Sequence, residues 1–496
     1  MMPVLRIVAV VVALAIFGVR APLSQRVAAA EPFLETTKIG EARSIASLKP
    51  VWVGAAGCSA ASCHGGREGL GGEYTHWATR DAAHRRAYNV LLSDVSHSMA
   101  AKLGIAAAHQ EARCLACHSM DAGPTAAIHG DRFAVEFGVA CESCHGAAGK
   151  WIARHTERSW KTLSDPQKSE FGFRNLRSLD TRADSCVACH VGSPRATVDH
   201  DLIAAGHPRL SFELAAYQAL MPKHWNESAA LQREPDQELK LWMLGQVKSA
   251  KAIADIAVAR AESAVNAKAD QVSPDLAEFD CHACHHDLAE KSWRGRLKLG
   301  KKIGEPQWGS WSITSAKWIA GESKSLLGQD HSAAQSSLGQ WATLMQNSWL
   351  RAVPANELAT TAGRASSDLA AWSQSLNSQR VDAVQAASLL RQLLAAESDA
   401  AFPMTWDGQA QRYLAVVAAR QSLRDLTHDT PTSQVLRSQP ILRLQELLKF
   451  PAGFATPRDF HADDVEQLFR ALGASRCLTS DTVRTRAGRY SSRRHR

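Results

Sequence analysis

Five short motifs in this chain combine two cysteines with a histidine directly after the second cysteine. Four have the spacing Cys-x-x-Cys-His and occupy residues 114–118, 141–145, 186–190 and 281–285. The fifth, at residues 58–64, has four residues between its cysteines. This pattern is the attachment signature of c-type haem: two thiols form thioethers with one porphyrin, and the adjacent histidine becomes an axial iron ligand. The predicted attachment cysteines are Cys58 and Cys63, Cys114 and Cys117, Cys141 and Cys144, Cys186 and Cys189, and Cys281 and Cys284, and the proximal ligands are His64, His118, His145, His190 and His285.

Other uses of cysteine explain this pattern less well. Ten of the eleven cysteines fall in the motifs. Disulfides would not require a histidine after every pair, and zinc sites combine two Cys-x-x-Cys units without that neighbour. We therefore expect five covalently attached haem c groups. The wider first motif leaves an alternative open, namely a single thioether through Cys63 with Cys58 free.

The histidines outside the motifs are candidates for the second axial position. Sixteen of the 20 histidines lie between residues 64 and 286, which leaves eleven beyond the proximal five. This excess favours ligation of most haems by two histidines, an arrangement suited to electron transfer. His155 follows His145 too closely to reach around the same porphyrin, so we expect it to serve a neighbouring haem. The favoured distal candidates are His84, His97, His155 and His207, and His129 and His200 are weaker candidates.

The N-terminus predicts export. A basic residue, Arg6, precedes an apolar run over residues 7–19, and three alanines end at residue 30. This is the pattern of a secretory signal peptide over residues 1–30, followed by a lead-in over 31–50. We expect a periplasmic protein, with an uncleaved membrane anchor as the alternative.

The net charge of +8 does not indicate nucleic-acid binding. Signal removal would take away three arginines and no acidic residue, and the ionised propionates of five haems would offset much of the rest. The local exception is a basic tail at residues 479–496, interpreted as a solvated tail or as a docking segment for an acidic partner or an anionic membrane.

The elements that must position the motifs are helical. We expect an all-α protein with a loop-rich haem domain at residues 51–299 and a helical bundle domain at 300–478. Apolar periodicity predicts one or two helices over 81–103, a long helix over 236–268, a further helix opened by Pro208, and helices over 312–350, 367–375, 381–397, 407–426 and 440–450. Asp407 is expected to be an N-cap. Gly104 is expected to end the first of these helices.

A family resemblance rests on several of these residues. They are Cys63-His64-Gly65, His76-Trp77 with His84, residues 138–146 with Trp151 and His155, and the stretches at 199–210 and 279–288. On these features, residues 51–299 resemble the multihaem cytochrome c-552/c-554 family and its bacterial relatives. This implies a periplasmic electron carrier with closely stacked haems that are mostly ligated by two histidines. The chain departs from the family in its wide first motif and its helical extension, and it lacks the Cys-x-x-Cys-Lys motif of pentahaem nitrite reductases.

The favoured function is therefore electron transfer through five haems between redox partner proteins, such as a dehydrogenase or a quinol-linked complex. The alternative is a multihaem oxidoreductase in which one open haem acts on a small nitrogen or sulfur oxyanion. In a third interpretation, the helical half recruits the partner and the haems relay electrons. Nucleic acid is excluded as a partner, the sequence does not indicate membrane association of the mature chain, and it does not define the oligomeric state.

Overall fold

The computed structural model describes residues 50–67, 71–120, 128–285, 306–349, 351–395, 402–427, 439–449 and 460–474. The predicted signal peptide, the basic tail and all but the last residue of the lead-in lie outside these ranges. Within them, no helix combines the length and the apolar character needed to cross a membrane.

The fold is all-α. Eleven α-helices, most of them short, lie in the part of the haem region that the structure describes. The bounds are α1 Glu73–Arg80, α2 Ala82–Arg85, α3 Asp94–Leu103, α4 Ala112–His118, α5 Cys141–His145, α6 Asp165–Glu170, α7 Leu179–His190, α8 His200–Ala205, α9 Leu214–Leu220, α10 Glu227–Arg233 and α11 Gln237–Asn266. Single 3₁₀ turns connect them at Ala55–Cys58, Asn89–Leu92, Ala108–Gln110, Val135–Phe137, Ala148–Lys150, Arg154–Thr156, Arg158–Thr162, Leu276–Glu278 and Cys281–Ala283.

The C-terminal half contains longer helices. They are α12 Thr314–Leu327, α13 Ser332–Asn347, α14 Ala355–Ser378, α15 Ala383–Ala395, α16 Trp406–Thr427, α17 Gln439–Leu448 and α18 Ala462–Gly473. Five of the predicted segments fall on helices here, but 367–375 covers only part of α14, and 312–350 is divided by a turn after Gly328, whose φ is 70°. The sequence did not predict α18.

Among the residues with described structure, four two-residue strands form two small ladders. Strands β1 Val51–Trp52 and β2 Ile128–His129 are parallel, with Val51 opposite Ile128. Strands β3 Gln271–Val272 and β4 Val353–Pro354 are antiparallel, with Val272 opposite Val353. The second ladder therefore joins the segment before the last cysteine motif to the segment before α14.

Helix α11 is the main packing element. It packs most extensively against α14 and also contacts α7, α9 and α16. Its Trp242 side chain is fully buried. One continuous apolar core extends from Leu179, in α7, to Leu472, in α18. The division into a haem domain and a bundle domain remains a prediction.

Helix caps define several of the segments that carry histidines. Ser93 accepts a hydrogen bond from Ser96 N at the start of α3, and Gly104, with a φ of 67°, ends that helix as predicted. Asp199 accepts a hydrogen bond from Leu202 N at 2.9 Å and caps α8. His200 is thereby fixed at the first position of α8.

Two expected helix starts are wrong. Pro208 does not open a helix; α9 begins at Leu214, where the buried Glu213 carboxylate accepts hydrogen bonds from Ala215 N and Ala216 N. Asp407 is not the N-cap of α16 but lies inside it. The capping oxygen is Thr405 Oγ1, which accepts a hydrogen bond from Gly408 N at 3.2 Å. The Asp407 carboxylate is directed to a partner elsewhere in the chain.

Candidate haem-binding sites

The five motifs define five candidate sites: site 1 (residues 58–64), site 2 (114–118), site 3 (141–145), site 4 (186–190) and site 5 (281–285). In sites 2, 3 and 4 both cysteines lie on one helix, α4, α5 or α7. The spacing of three residues places both thiols on the same helix face, as attachment to one porphyrin requires. No disulfide joins the ten motif cysteines in the described part of the chain.

In site 1, a tight turn and not a helix connects the two cysteines. Cys63 N donates a hydrogen bond to Ala60 O at 2.9 Å, and Gly65 N donates to the same oxygen at 3.0 Å. A Cβ on Gly65 would lie 1.8 Å from Ser59 O. The four intervening residues therefore fold back on themselves, and only glycine fits after His64.

Each proximal histidine faces a second histidine. The distances between ring centroids are 6.2 Å for His64–His155, 6.5 Å for His118–His207, 6.3 Å for His145–His224, 6.2 Å for His190–His84 and 6.4 Å for His285–His200. Two imidazoles on opposite sides of one metal ion, each bonded at about 2.0–2.1 Å, have centroids about 6.4 Å apart. The spacing in all five pairs therefore fits an iron atom between two histidines.

Hydrogen bonds orient five of these ten rings. His64 Nδ1 donates to Glu73 Oε2 at 2.9 Å, and His84 Nδ1 donates to Asp81 Oδ2 at 2.8 Å. Three others donate to backbone carbonyls, namely His118 to Ala87, His155 to Ile152 and His207 to Pro208. With Nδ1 occupied, Nε2 is the nitrogen that remains for a metal ion. Such partners fix the tautomer and ring orientation of metal-binding histidines.

The pKa values of the rings follow their surroundings. The hydrogen bond from His84 to Asp81 raises the pKa of His84, although burial opposes the shift. Burial lowers the pKa of His145 and of His190 to about 4. These two rings are therefore neutral at pH 7, the form that binds a metal ion.

The six histidines predicted as distal ligands lie in different surroundings. His84, His155, His207 and the weaker candidate His200 each lie opposite a proximal histidine, as described above. His97 is exposed on α3, and the described residues place no proximal histidine ring against it. The ring of His129 stacks on Phe133, with centroids 3.9 Å apart. The role of each candidate as a ligand remains a prediction.

Sequence reasoning missed His224. It lies in the loop between α9 and α10 and stands opposite His145 in site 3. The signal that could have identified it is the following residue, Trp225, whose ring is 5.4 Å from the His224 ring. The same His-Trp dipeptide occurs at His76-Trp77. His76 itself lies 6.5 Å from His224, and its Nε2 is buried without a hydrogen-bond partner among the described residues.

The thiols of different sites come together in two pairs. Cys58 of site 1 and Cys141 of site 3 interact, and hydrogen bonding with Cys58, together with burial, raises the pKa of Cys141. Cys117 of site 2 and Cys189 of site 4 interact in the same way, and the pKa of Cys117 is raised. Sites 1 and 3 therefore adjoin, as do sites 2 and 4. Sequence separation alone predicts closest contact between sites 2 and 3, but the thiol contacts join other pairs.

A buried carboxylate holds site 3 in place. Glu142, 1% exposed, accepts hydrogen bonds from Val53 N at 2.9 Å, Gly54 N at 2.7 Å and Ala148 N at 2.7 Å. A Cβ on Gly54, whose φ is 91°, would lie 2.0 Å from Arg132 O. Glu142, one of the two residues between the cysteines of site 3, thus links this site to the segment that follows β1 and to Ala148.

The residues present fit haem better than a protein-only metal site. Zinc needs three or four protein ligands, and no group of three or more such side chains occurs in the residues that the structure describes. Each site instead has two thiols and two facing imidazoles, which complement a porphyrin that supplies the other four iron ligands.

Comparison with known proteins agrees with this chemistry. The family model for cytochrome c554 and c-prime matches residues 58–146, which contain the first three motifs. No curated protein matches the chain, and no solved structure does. Over the matched residues, 58–146, the chain therefore has the sequence of a c-type cytochrome, a class of electron carriers whose cofactor is haem c. Within that class, it resembles the cytochrome c-554 family over the matched residues.

Proposed function

We propose that the chain carries electrons in the periplasm through five covalently bound haems, each held between two histidines. The observation that carries the proposal is the set of five histidine pairs with centroids 6.2–6.5 Å apart. When bound, the haems supply one-electron iron couples, and two imidazoles favour electron transfer over ligand binding. The chain's own residues position the rings, and two imidazoles would hold each haem iron.

Contacts between the sites support a continuous path. Besides the thiol contacts of sites 1 and 3 and of sites 2 and 4, Val139 N, just before site 3, donates to the carbonyl of His84 at 3.0 Å. His84 is the distal residue of site 4. The segment just before site 3 is therefore hydrogen-bonded to the residue that faces His190 in site 4.

An ion pair connects site 5 to site 2. Arg113, which precedes Cys114, forms a 2.6 Å ion pair with Asp199, the cap of the helix that begins with His200. Because His200 is the distal residue of site 5, this contact brings the fifth site to the second. The order of neighbours that these contacts support is 1, 3, 4, 2, 5.

The partners in this proposal are redox proteins, such as a dehydrogenase or a quinol-linked complex, at the two ends of this path. In the order of neighbours given above, sites 1 and 5 are the ends at which partners would exchange electrons. Export through a cleaved signal peptide over residues 1–30 is part of the same proposal.

Ferric spectra test the proposal. Optical and electron paramagnetic resonance spectra of the haem-loaded protein should show only low-spin haem, and cyanide and nitric oxide should leave them unchanged. One high-spin haem that binds these ligands and turns over nitrite or hydroxylamine would instead support the oxidoreductase with an open haem.

A further inference from the structure

A charged contact links the haem region to the helical half. Arg209, in the irregular segment between α8 and α9, donates from Nη1 and Nη2 to the two carboxylate oxygens of Asp407, both at 2.9 Å. Ser310 Oγ donates to Asp407 Oδ2 at 2.5 Å. Charge-assisted bonds in this two-pronged arrangement are the strongest hydrogen bonds in proteins and fix both partners geometrically.

The contact is shielded from solvent. The Asp407 side chain is 0% exposed and that of Arg209 is 19% exposed. Burial alone would raise the pKa of Asp407, but the charge and hydrogen bonds of Arg209 keep it below its ordinary value. Both groups are therefore ionised at pH 7, and the two charges cancel inside the protein. Removal of one partner would leave an uncompensated charge there.

The pair lies against site 5. Arg209 lowers and Asp407 raises the pKa of Cys281, the first cysteine of that site, although burial is the larger cause of its raised pKa. The ring of Trp406, next to Asp407, is 6.1 Å from that of His282, inside the site 5 motif. Arg209 is also only two residues from His207, the distal residue of site 2.

We propose that Asp407, supplied by the helical half, sets the reduction potential of the haem at site 5 by neutralising Arg209. The inference rests on the proposed presence of haem at that site. A haem potential depends on nearby charge and on the polarity of its surroundings. A buried anion disfavours addition of an electron to the haem, and a buried cation favours it. With both residues present, the potential therefore lies between the low value expected beside Asp407 alone and the high value expected beside Arg209 alone. In this way, a residue of the helical half influences the reduction potential of a haem on the proposed electron path.

The principal test is Asp407→Asn in the full-length, haem-loaded protein. Arginine stays charged in proteins, so the variant leaves an uncompensated cation beside site 5. Optical redox titration should show one of the five one-electron steps shifted to higher potential. The double variant Arg209→Gln/Asp407→Asn removes both charges and should return that step close to its wild-type value. A titration curve of Asp407→Asn that superimposes on wild type would overturn the proposal.

Glu466→Gln is the matched control. Arg412, 0% exposed, pairs with Glu466 at 2.6 Å and otherwise donates to the carbonyls of Leu393 and Leu394, so all these partners belong to the helical half. This variant also leaves a buried arginine without its carboxylate. It should lower stability without moving any haem potential. An equal potential shift in Glu466→Gln would assign the effect to general loosening and contradict the proposal.

A second variant covers the case in which Asp407→Asn does not fold. Arg209→Gln leaves the anion, and at mildly alkaline pH the same redox step should move to lower potential. A shift to higher potential or no shift would refute the assignment. A haem count of four in the wild-type protein, with haem on the peptide that contains residues 281–285, would refute the proposed function and not this inference. The same holds for high-spin haem in the wild-type protein, because count and spin state are measured before any variant. Absence of haem from the 281–285 peptide would overturn both.

Discussion

His224→Ala tests the least predictable ligand of the five sites. In wild type, the His224 ring stands 6.3 Å from that of His145, and alanine leaves the iron position in site 3 with one imidazole. Because one of five pairs loses a member, about one-fifth of the ferric haem should become high-spin and should bind cyanide. The assay is electron paramagnetic resonance of the ferric protein, with the spin quantified against total haem.

Two further variants make this test specific. His97→Ala removes an exposed histidine of α3 and should leave all the haem low-spin. His76 lies 6.5 Å from His224 and has a buried Nε2 without a partner in the described residues, so it is the residue able to replace His224. If His224→Ala stays low-spin, His76→Ala/His224→Ala must become high-spin. Low-spin haem throughout the double variant would refute the pairing of His145 with His224.

Two other predictions concern buried carboxylates. Glu142→Gln should lower the free energy of unfolding by about 1.5–3 kcal/mol, since a charged acceptor of three backbone hydrogen bonds becomes neutral; denaturant unfolding of the haem-loaded protein measures it, and the exposed Glu136→Gln should change little. Burial raises the pKa of Glu213 to about 7, above about 4.3 in the unfolded chain. Its ionisation therefore costs stability as pH rises from about 4.3 through about 7. Glu213→Gln should remove this decline, and an unchanged pH profile would contradict the prediction.

The sequence predicts the chemistry well because that chemistry is local. A motif of five residues, such as 114–118, contains both cysteines that attach one haem and one histidine that binds its iron. Helical periodicity likewise places α11 within two residues of its observed ends, Gln237 and Asn266. The all-α fold follows from such segments, each of which can be interpreted without knowledge of its neighbours.

What the sequence does not predict depends on contacts between distant segments. His224 is 79 residues from His145, and no spacing rule connects them. Asp407 carries the signal of an N-cap, but a tertiary contact with Arg209 places its carboxylate elsewhere. The neighbours of each site are equally non-local: Cys117 meets Cys189, 72 residues away, and not the nearer Cys141.

The number of haems per chain tests the central claim most directly. Pyridine haemochrome absorbance, divided by the protein concentration from amino-acid analysis and confirmed by the intact mass, gives this number. The account predicts five haems, all low-spin in the ferric state, because the chain has five attachment motifs and five facing histidine pairs. A count of four haems, together with an unmodified mass for the peptide that contains residues 58–64, would contradict the account.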